Sequence, residues 1–468
     1  MQDKTDIQRK KIKQGNPTIN LQDSCRIGNG IQQLTSAEKA HLIQLYQERK
    51  DALEICFFIP ASGSGSRMFS DFYAYLSEPE NLDLQKAAQN FMANIQNLAI
   101  FQKLSDDWKE KIRQNAVHPT EFLHYLLSEQ GLNLGNLPKG MIPFHQYGDR
   151  VLNPFQEHLI QGSTIGNSSS QFHFTINKQF EDEIKASLRQ VEQDYGVTYN
   201  FSFSEQDPDT HSIAFTPDLE PAANGSGKII TRPAGHGALI KNLNKIIADL
   251  VFIRNIDNMQ HQEKATASNQ TRQQLAGALL RFQDDIREIL EKVTNNENFS
   301  EDVRSFNETY DMRIPDDLFG DREFVLNYFN RPLRVCGMVK NEGAPGGGPF
   351  WVKNNGYLTR QIIEKSQIDD HPEQIKLMET ATHFNPVELV CSVRDYTGNK
   401  FDLSQFVDEH QYFIVHKTQE GKSIQYIEQP GLWNGAMAHW LTLFYEIDSA
   451  CFSPVKTVMD LLKPAHQG

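Results

Sequence analysis

The residues best suited to chemistry sit where an apolar run stops. In Ile55-Cys56-Phe57-Phe58-Ile59-Pro60-Ala61-Ser62-Gly63-Ser64-Gly65-Ser66-Arg67-Met68, β-prone residues give way to a loop of small ones, and Arg67 closes it. The pattern predicts a buried strand that enters a tight turn at the edge of a sheet. Gly63 and Gly65 let the backbone approach a ligand, and consecutive N–H groups there can cradle phosphate. Arg67 adds a planar, permanently charged fork for phosphate oxygens. A strand-ending turn that holds nothing has the same composition. The spacing excludes a P-loop, which needs Lys-Ser/Thr after its last glycine where Ser66-Arg67 stands. It also excludes a dinucleotide fingerprint, whose third small residue is replaced by Met68.

Other stretches offer single charges. Pro138-Lys139-Gly140 places a lysine on a turn, as a solvated residue or as a point charge for phosphate. Asp257 follows the apolar run Leu250-Val251-Phe252-Ile253 and lies between Asn255 and Asn258. At the carboxyl end of a strand such an acid can hold Mg²⁺, or it can cap the next helix. Gly346-Gly347-Gly348, preceded by Lys340 and Glu342, reads as a flexible connection. Lys456 lies in Phe452-Ser453-Pro454-Val455-Lys456-Thr457-Val458-Met459-Asp460-Leu461-Leu462, where a lone lysine is ordinarily a surface residue. His145, His173 and His236 are too dispersed for a zinc site, and neither HExxH nor GxSxG occurs.

These residues need a scaffold of several elements. The 468 residues exceed one simple core, and 39% are hydrophobic. The 46 basic and 60 acidic side chains leave a net charge of −14, which argues against nucleic acid or an anionic membrane as the main partner. The five scattered cysteines suit a reducing compartment, and no secretory signal or membrane span is visible, so a cytoplasmic protein is expected.

Residues 1–34 are polar and read as mobile, and Thr35 and Glu38 form a capping box that opens a helix through about Arg49. The boundaries expected are an N-terminal segment and helix over 1–49 and a core over 50–468. Two helical insertions, 69–137 and 261–330, interrupt that core. Strands are expected near 171–176, 199–203, 250–253, 334–339, 350–352, 387–393, 412–415 and 423–427, and a helix from about Asn434. Strands alternating with helices imply a largely parallel α/β sheet.

Taken in order, these pieces resemble the eukaryote-type UDP-sugar pyrophosphorylases. Ser62-Gly63-Ser64-Gly65-Ser66-Arg67 resembles that family's Gly-Gly-x-Gly-Thr-Arg nucleotide loop, and Pro138-Lys139-Gly140 its Pro-Lys-Gly. Glu205-Gln206 resembles its Glu-Gln step. Gly235-His236-Gly237-Ala238-Leu239 resembles its Gly-Asn-Gly-Gly-Leu base loop. Ile256-Asp257-Asn258 resembles its Val-Asp-Asn, and Phe452–Leu462 its Phe-Leu-Pro-Val-Lys-Thr-Thr-Ser-Asp-Leu-Leu. The chain departs from the family in Ser62 for glycine, Ser66 for threonine and His236 for asparagine, and in the long gap between Arg67 and Lys139. The whole chain is also similar to a bacterial family described only as a domain of unknown function.

The resemblance implies a three-layer, Rossmann-like core of the GT-A type with a mixed sheet and the two insertions. It implies a Mg²⁺-dependent nucleotidyltransferase that makes a nucleotide sugar and pyrophosphate from a nucleoside triphosphate, UTP favoured, and a sugar 1-phosphate. By the same resemblance, Arg67, Lys139 and Lys456 are catalytic cations and Asp257 is the metal ligand. Ser62, Gly63, Gly65, Ser66, Gln206, Gly235, His236 and Gly237 hold the nucleotide, and Lys340 and Gly347 reach the sugar phosphate. Two other readings share the core: a nucleotide-sugar binder without turnover, and a glycosyltransferase.

Overall fold

The structure is a computed structural model in which residues 2–343, 346–354, 356–419 and 421–468 are described. The chain divides into two compact units, each assembled from separate stretches of sequence. The first holds Met1–Cys56, Gln206–Ile253 and Arg272–Ser449, and the second holds Phe57–Glu205, Arg254–Thr271 and Ala450–Gly468.

In the second unit the sheet order is residues 57–60 of the strand Ile55–Pro60, then Gln171–Thr175 and Asn200–Ser204, and the last two strands pair in parallel from Gln171↔Asn200 to Thr175↔Ser204. Ile55 through Ile59 are all buried, which is why that strand reads as an unbroken apolar run. Between the first two strands the chain is helical, as the spacing of its apolar residues predicts. The helices are Ser70–Ser77, Leu82–Asn94, Asp106–Arg113 and Pro119–Leu127. Phe69, Phe72, Phe91, Ile95, Phe122 and Leu126 form their core, and Val455, Val458 and Leu461 of the C-terminal stretch pack into the same cluster. The helix Pro154–Ile165 opens on an Asn153–Gln156 capping box and is buried on nearly every side.

The first unit is built on a mixed sheet in the order Arg26–Ile27, Gly30–Gln32, Leu441–Glu446, Leu333–Lys340, Glu388–Ser392, Leu250–Arg254. Leu333–Lys340 runs parallel to Leu441–Glu446 and antiparallel to Glu388–Ser392 and His383–Phe384. Hairpins Gly348–Asn354/Tyr357–Ile363 and Phe413–Gln419/Lys422–Glu428 complete it. The long helix Thr266–Thr294 buries Leu275, Leu279, Leu280 and Phe282 along one stripe.

Two expectations fail here. The helix expected from Asn434 is a single turn, Gly435–Met437, followed by the strand Leu441–Glu446. Leu441 to Tyr445 are buried on both faces, so periodicity could not separate strand from helix. The polar N-terminus is also ordered. It forms a helix at Gln2–Gln14, and Leu21–Ser24 and Gly30–Gln32 are held by pairing with Gly348–Asn354 and Leu441–Glu446. Strands this short are specified by their partners and not by their own composition. The Thr35–Glu38 capping box is present and starts the helix Ser36–Arg49.

Candidate functional site

The glycine-serine loop is stitched to the Pro138 turn. Ser64 and Pro138 form an antiparallel bridge, the Gly65 N–H donates to Leu137 O at 3.0 Å, and the Lys139 N–H donates to Gly63 O at 3.0 Å. Gly65 is required by this close pass: a Cβ there would lie 2.5 Å from Ile142 Cδ1 and 2.9 Å from Leu137 O. At Gly63 a Cβ would meet nothing, so that residue borders open space. Ser64 Oγ accepts from the Ser66 N–H at 3.1 Å and opens the helical turn Gly65–Phe69, which carries an exposed Arg67. Ser62 is exposed as well.

Lys139 is not a solvated turn residue. Its side chain is 16% exposed, and its ammonium is paired with Asp257 Oδ2, whose side chain is 19% exposed. Asp257 does not cap the following turn, since His261 caps Gln262–Lys264. Among the described residues nothing donates to Asp257 Oδ1.

The C-terminal stretch reaches the same place. Asn258 and Pro454 form an antiparallel bridge, the Val455 N–H donates to Asp257 O at 3.1 Å, and the Ser453 N–H donates to Asn258 Oδ1 at 2.9 Å. Lys456 therefore follows directly on a residue bonded to the Asp257 backbone. Its own N–H and that of Thr457 donate to Asp460 Oδ2 at 2.8 and 2.7 Å, and Asp460 also pairs with Lys463. Burial, the largest single effect, raises the Asp460 carboxyl, but Lys463 and the N–H groups of Thr457 and Lys456 together outweigh it and hold the carboxyl below the usual range. Lys456 is exposed, and neither its ammonium nor the Arg67 guanidinium has a partner among the described residues. The second unit thus gathers the loop Ser62–Ser66, Lys139, Asp257 and the backbone of Lys456, with Arg67 on the turn beside them.

The remaining candidates belong to the first unit. Gln206 Nε2 donates to Thr210 Oγ1 at 3.1 Å. Gly235 has φ +74°, where a Cβ would lie 2.7 Å from Glu428 Oε2, and at Gly237 one would lie 2.0 Å from Pro430 O. His236 stacks on Trp433 with centroids 4.3 Å apart, and its Nδ1 accepts from the Leu432 N–H at 3.0 Å. Gly347 passes so close to Glu364 and Asn434 that a Cβ would lie 3.1 Å from Glu364 Oε1 and 3.3 Å from Asn434 Nδ2. The two glycine loops are thus joined by Glu428–Asn434, a segment that sequence reasoning missed. Its signal is a tryptophan and an asparagine bracketed by Gly431 and Gly435. Burial raises the carboxyls of Glu364 and Glu428 that flank it. Lys340 ends its strand exposed, and its ammonium has no partner among the described residues.

A Mg²⁺ ion commonly binds through one or two carboxylates and completes its shell with water and substrate phosphates. One carboxylate oxygen free of hydrogen bonds at Asp257, beside a loop open at Gly63, fits that habit. No cluster of three or more His, Cys, Asp or Glu able to hold a metal occurs among the described residues. No helix among them is long and apolar enough to cross a membrane.

The fold is similar to that of solved UDP-sugar pyrophosphorylases. The uridine diphosphate N-acetylglucosamine pyrophosphorylase of Trypanosoma brucei, solved with an inhibitor, aligns with a TM-score of 0.51 at 12% identity, covering 98% of this chain and 74% of that one. A mutant UDP-glucose pyrophosphorylase of Leishmania major with UDP-glucose gives 0.43 at 11% identity, over 98% and 74%. A protein of Entamoeba histolytica described as a UDP-N-acetylglucosamine pyrophosphorylase gives 0.45 at 12%, over 90% and 80%. Of these three only the first exceeds 0.5, and it shows a fold shared with that structure. No curated protein matches the chain. The chain itself belongs to the family described as domain of unknown function DUF4301, whose model matches residues 1–467.

Proposed function

We propose that this protein is a Mg²⁺-dependent, cytoplasmic nucleotidyltransferase that joins a sugar 1-phosphate to a nucleoside monophosphate taken from a nucleoside triphosphate, with UTP the favoured donor. The supporting scaffold would be a three-layer, Rossmann-like core of the GT-A type interrupted by insertions 69–137 and 261–330. One observation carries the reading. Backbone hydrogen bonds tie the glycine loop to the Lys139 turn and Asp257 to the turn bearing Lys456, and the Lys139–Asp257 ion pair joins the two pairs in one place.

In this reaction a phosphate oxygen of the sugar 1-phosphate attacks the α-phosphorus in line, the bond to the β-phosphate oxygen breaks, and pyrophosphate leaves with its electron pair. The protein has positioning and charge compensation to supply. Backbone N–H groups of the Ser62–Ser66 loop would hold the triphosphate. Arg67 and Lys456, whose charged groups have no partner among the described residues, would meet oxygens that gain charge in the transition state. Lys139 would hold Asp257 in place and offer its ammonium to the same oxygens. Asp257 would hold Mg²⁺, whose charge, when bound, draws the phosphates together and offsets the leaving pyrophosphate. Gln206 and the Gly235–Gly237 loop would take the base, and Lys340 with Gly347 the sugar phosphate.

The test is incubation of the purified protein with each nucleoside triphosphate, Mg²⁺ and a panel of sugar 1-phosphates while pyrophosphate is followed. Release that depends on both substrates supports the reading, and silence across the panel from folded protein sinks it. Tight nucleotide-sugar binding without release would instead fit the binding-only reading. The closed Lys139–Asp257 pair favours that alternative, since it occupies an oxygen a metal would use.

A further inference from the structure

A cavity of about 650 Å³ in the first unit is lined by none of the candidate site residues above. Its walls include Phe324, Arg331, Tyr357, Phe406 and His439, and Asp321 and Glu323 line it as well. That volume is in the range of small-molecule sites, roughly 300–1,000 Å³.

Arg331 is held as a receptor is held. Its guanidinium carbon lies 4.9 Å from the centroid of the Tyr328 ring and 5.8 Å from that of Tyr357. Nε donates to Asn327 O at 3.0 Å, and Nη2 donates to the Tyr357 hydroxyl at 2.5 Å. These contacts fix the plane of the guanidinium and leave Nη1 uncommitted. No carboxylate pairs with it among the described residues, although arginines elsewhere in the chain pair with Asp or Glu, such as Arg272 with Glu388. His439 supplies a second donor. Its Nδ1 accepts from Asn354 Nδ2 at 2.9 Å, so the neutral ring carries its hydrogen on Nε2. Burial lowers the pKa of His439 and favours that neutral form, and Arg331 acts in the same direction while Asp408 opposes it.

We infer that this cavity is a binding site for a small organic carboxylate with a flat apolar body, its carboxylate on Arg331 and His439 and its body against Phe324 and Phe406. A pre-oriented guanidinium is the group best matched to a planar carboxylate. Asp321 and Glu323, which also line the cavity, repel a polyphosphate, which needs several cations. The aromatic walls leave a small hydrophilic anion without contacts for the rest of the cavity. An aliphatic acid would lack the ring-on-ring packing that Phe324 and Phe406, both half-buried, offer.

Calorimetric titration of the full chain with benzoate, benzamide and inorganic phosphate tests this. Benzoate is expected to bind, with benzamide and phosphate each at least about tenfold weaker, since a hydrogen bond to a charged group is worth about that factor. Arg331→Met should lose benzoate binding about tenfold or more, and Arg331→Lys should recover only part of it. Phe406→Ala provides a second variant outside the stacked arginine, also expected to weaken benzoate. Circular dichroism checks that each variant is folded. No benzoate binding by the wild type, or equal binding by benzoate and benzamide, overturns the proposal. So does binding that survives in folded Arg331→Met or, if that variant does not fold, in Phe406→Ala.

Discussion

Lys456 and Lys139 carry the same charge, but their environments differ. Lys456 is exposed and unpaired, so Lys456→Ala should change unfolding free energy by no more than about 0.5 kcal/mol, while lowering pyrophosphate release by orders of magnitude. Denaturant titration beside the turnover assay measures both, and equal loss in each would assign the lysine a scaffold role. Lys139→Ala removes the partner of a largely buried carboxylate, so it should cost about 1–3 kcal/mol of stability as well as activity. A third residue sets an acid limit. His466 is pushed down to about 3, chiefly by burial and then by the facing His145, with Lys463 acting the same way and Asp460 opposing. Its Nδ1 lies 3.0 Å from His145 Nε2 in a chain that runs on to the buried Glu157. Two imidazoles that share one hydrogen bond can carry at most one charge between them. Unfolded, His466 takes up its proton near pH 6.5. Its contribution is therefore complete above that pH and is lost progressively as pH falls from about 6.5 toward 3. Urea midpoints across this range should fall less steeply in His466→Asn, and parallel curves would refute the assignment.

The elements around the site were legible to different degrees. The strand Ile55–Pro60 and its loop could be read because an abrupt change from apolar to small residues has one simple physical meaning. The capping box at Thr35 was equally plain. The C-terminal turn was not. Its Val-Lys-Thr-Val-Met-Asp pattern announces no regular element, and only Asp460, reaching back to two N–H groups, makes it a defined shape. Asp460→Ala should cost about 1 kcal/mol, as losing a cap does, and Asp460→Asn should recover much of it because an amide oxygen accepts the same bonds. Hydrogen exchange at Lys456 and Thr457 distinguishes this from a general loss of stability. The Glu428–Asn434 segment was invisible for another reason. It matters through the two glycine loops it touches, and contacts between distant residues leave no local trace in one sequence.

At the scale of the molecule, α/β alternation was legible in the residues themselves, whereas the mixed direction of the strands was expected only through the resemblance. Direction depends on which strands become neighbours, and Leu441–Glu446 pairs in parallel with a strand far from it in sequence. The order of site-bearing stretches could be read only through resemblance, since no periodicity links Gly63 to Asp257 or Val455. The DUF4301 assignment and the shared fold assign no role to any of those residues, so their roles and the occupant of the Arg331 cavity are questions for titration.

Val455, Val458 and Leu461 fill the same core as Phe91 and Phe122. The ribosome must therefore deliver every residue through Leu461 before that oily interior can seal. Until then the early helices wait with aromatic side chains uncovered, a state prone to clumping and attractive to chaperones. Removing residues 450–468 should leave a product recovered mainly as aggregate, and supplying that stretch as a separate peptide during refolding should restore soluble material.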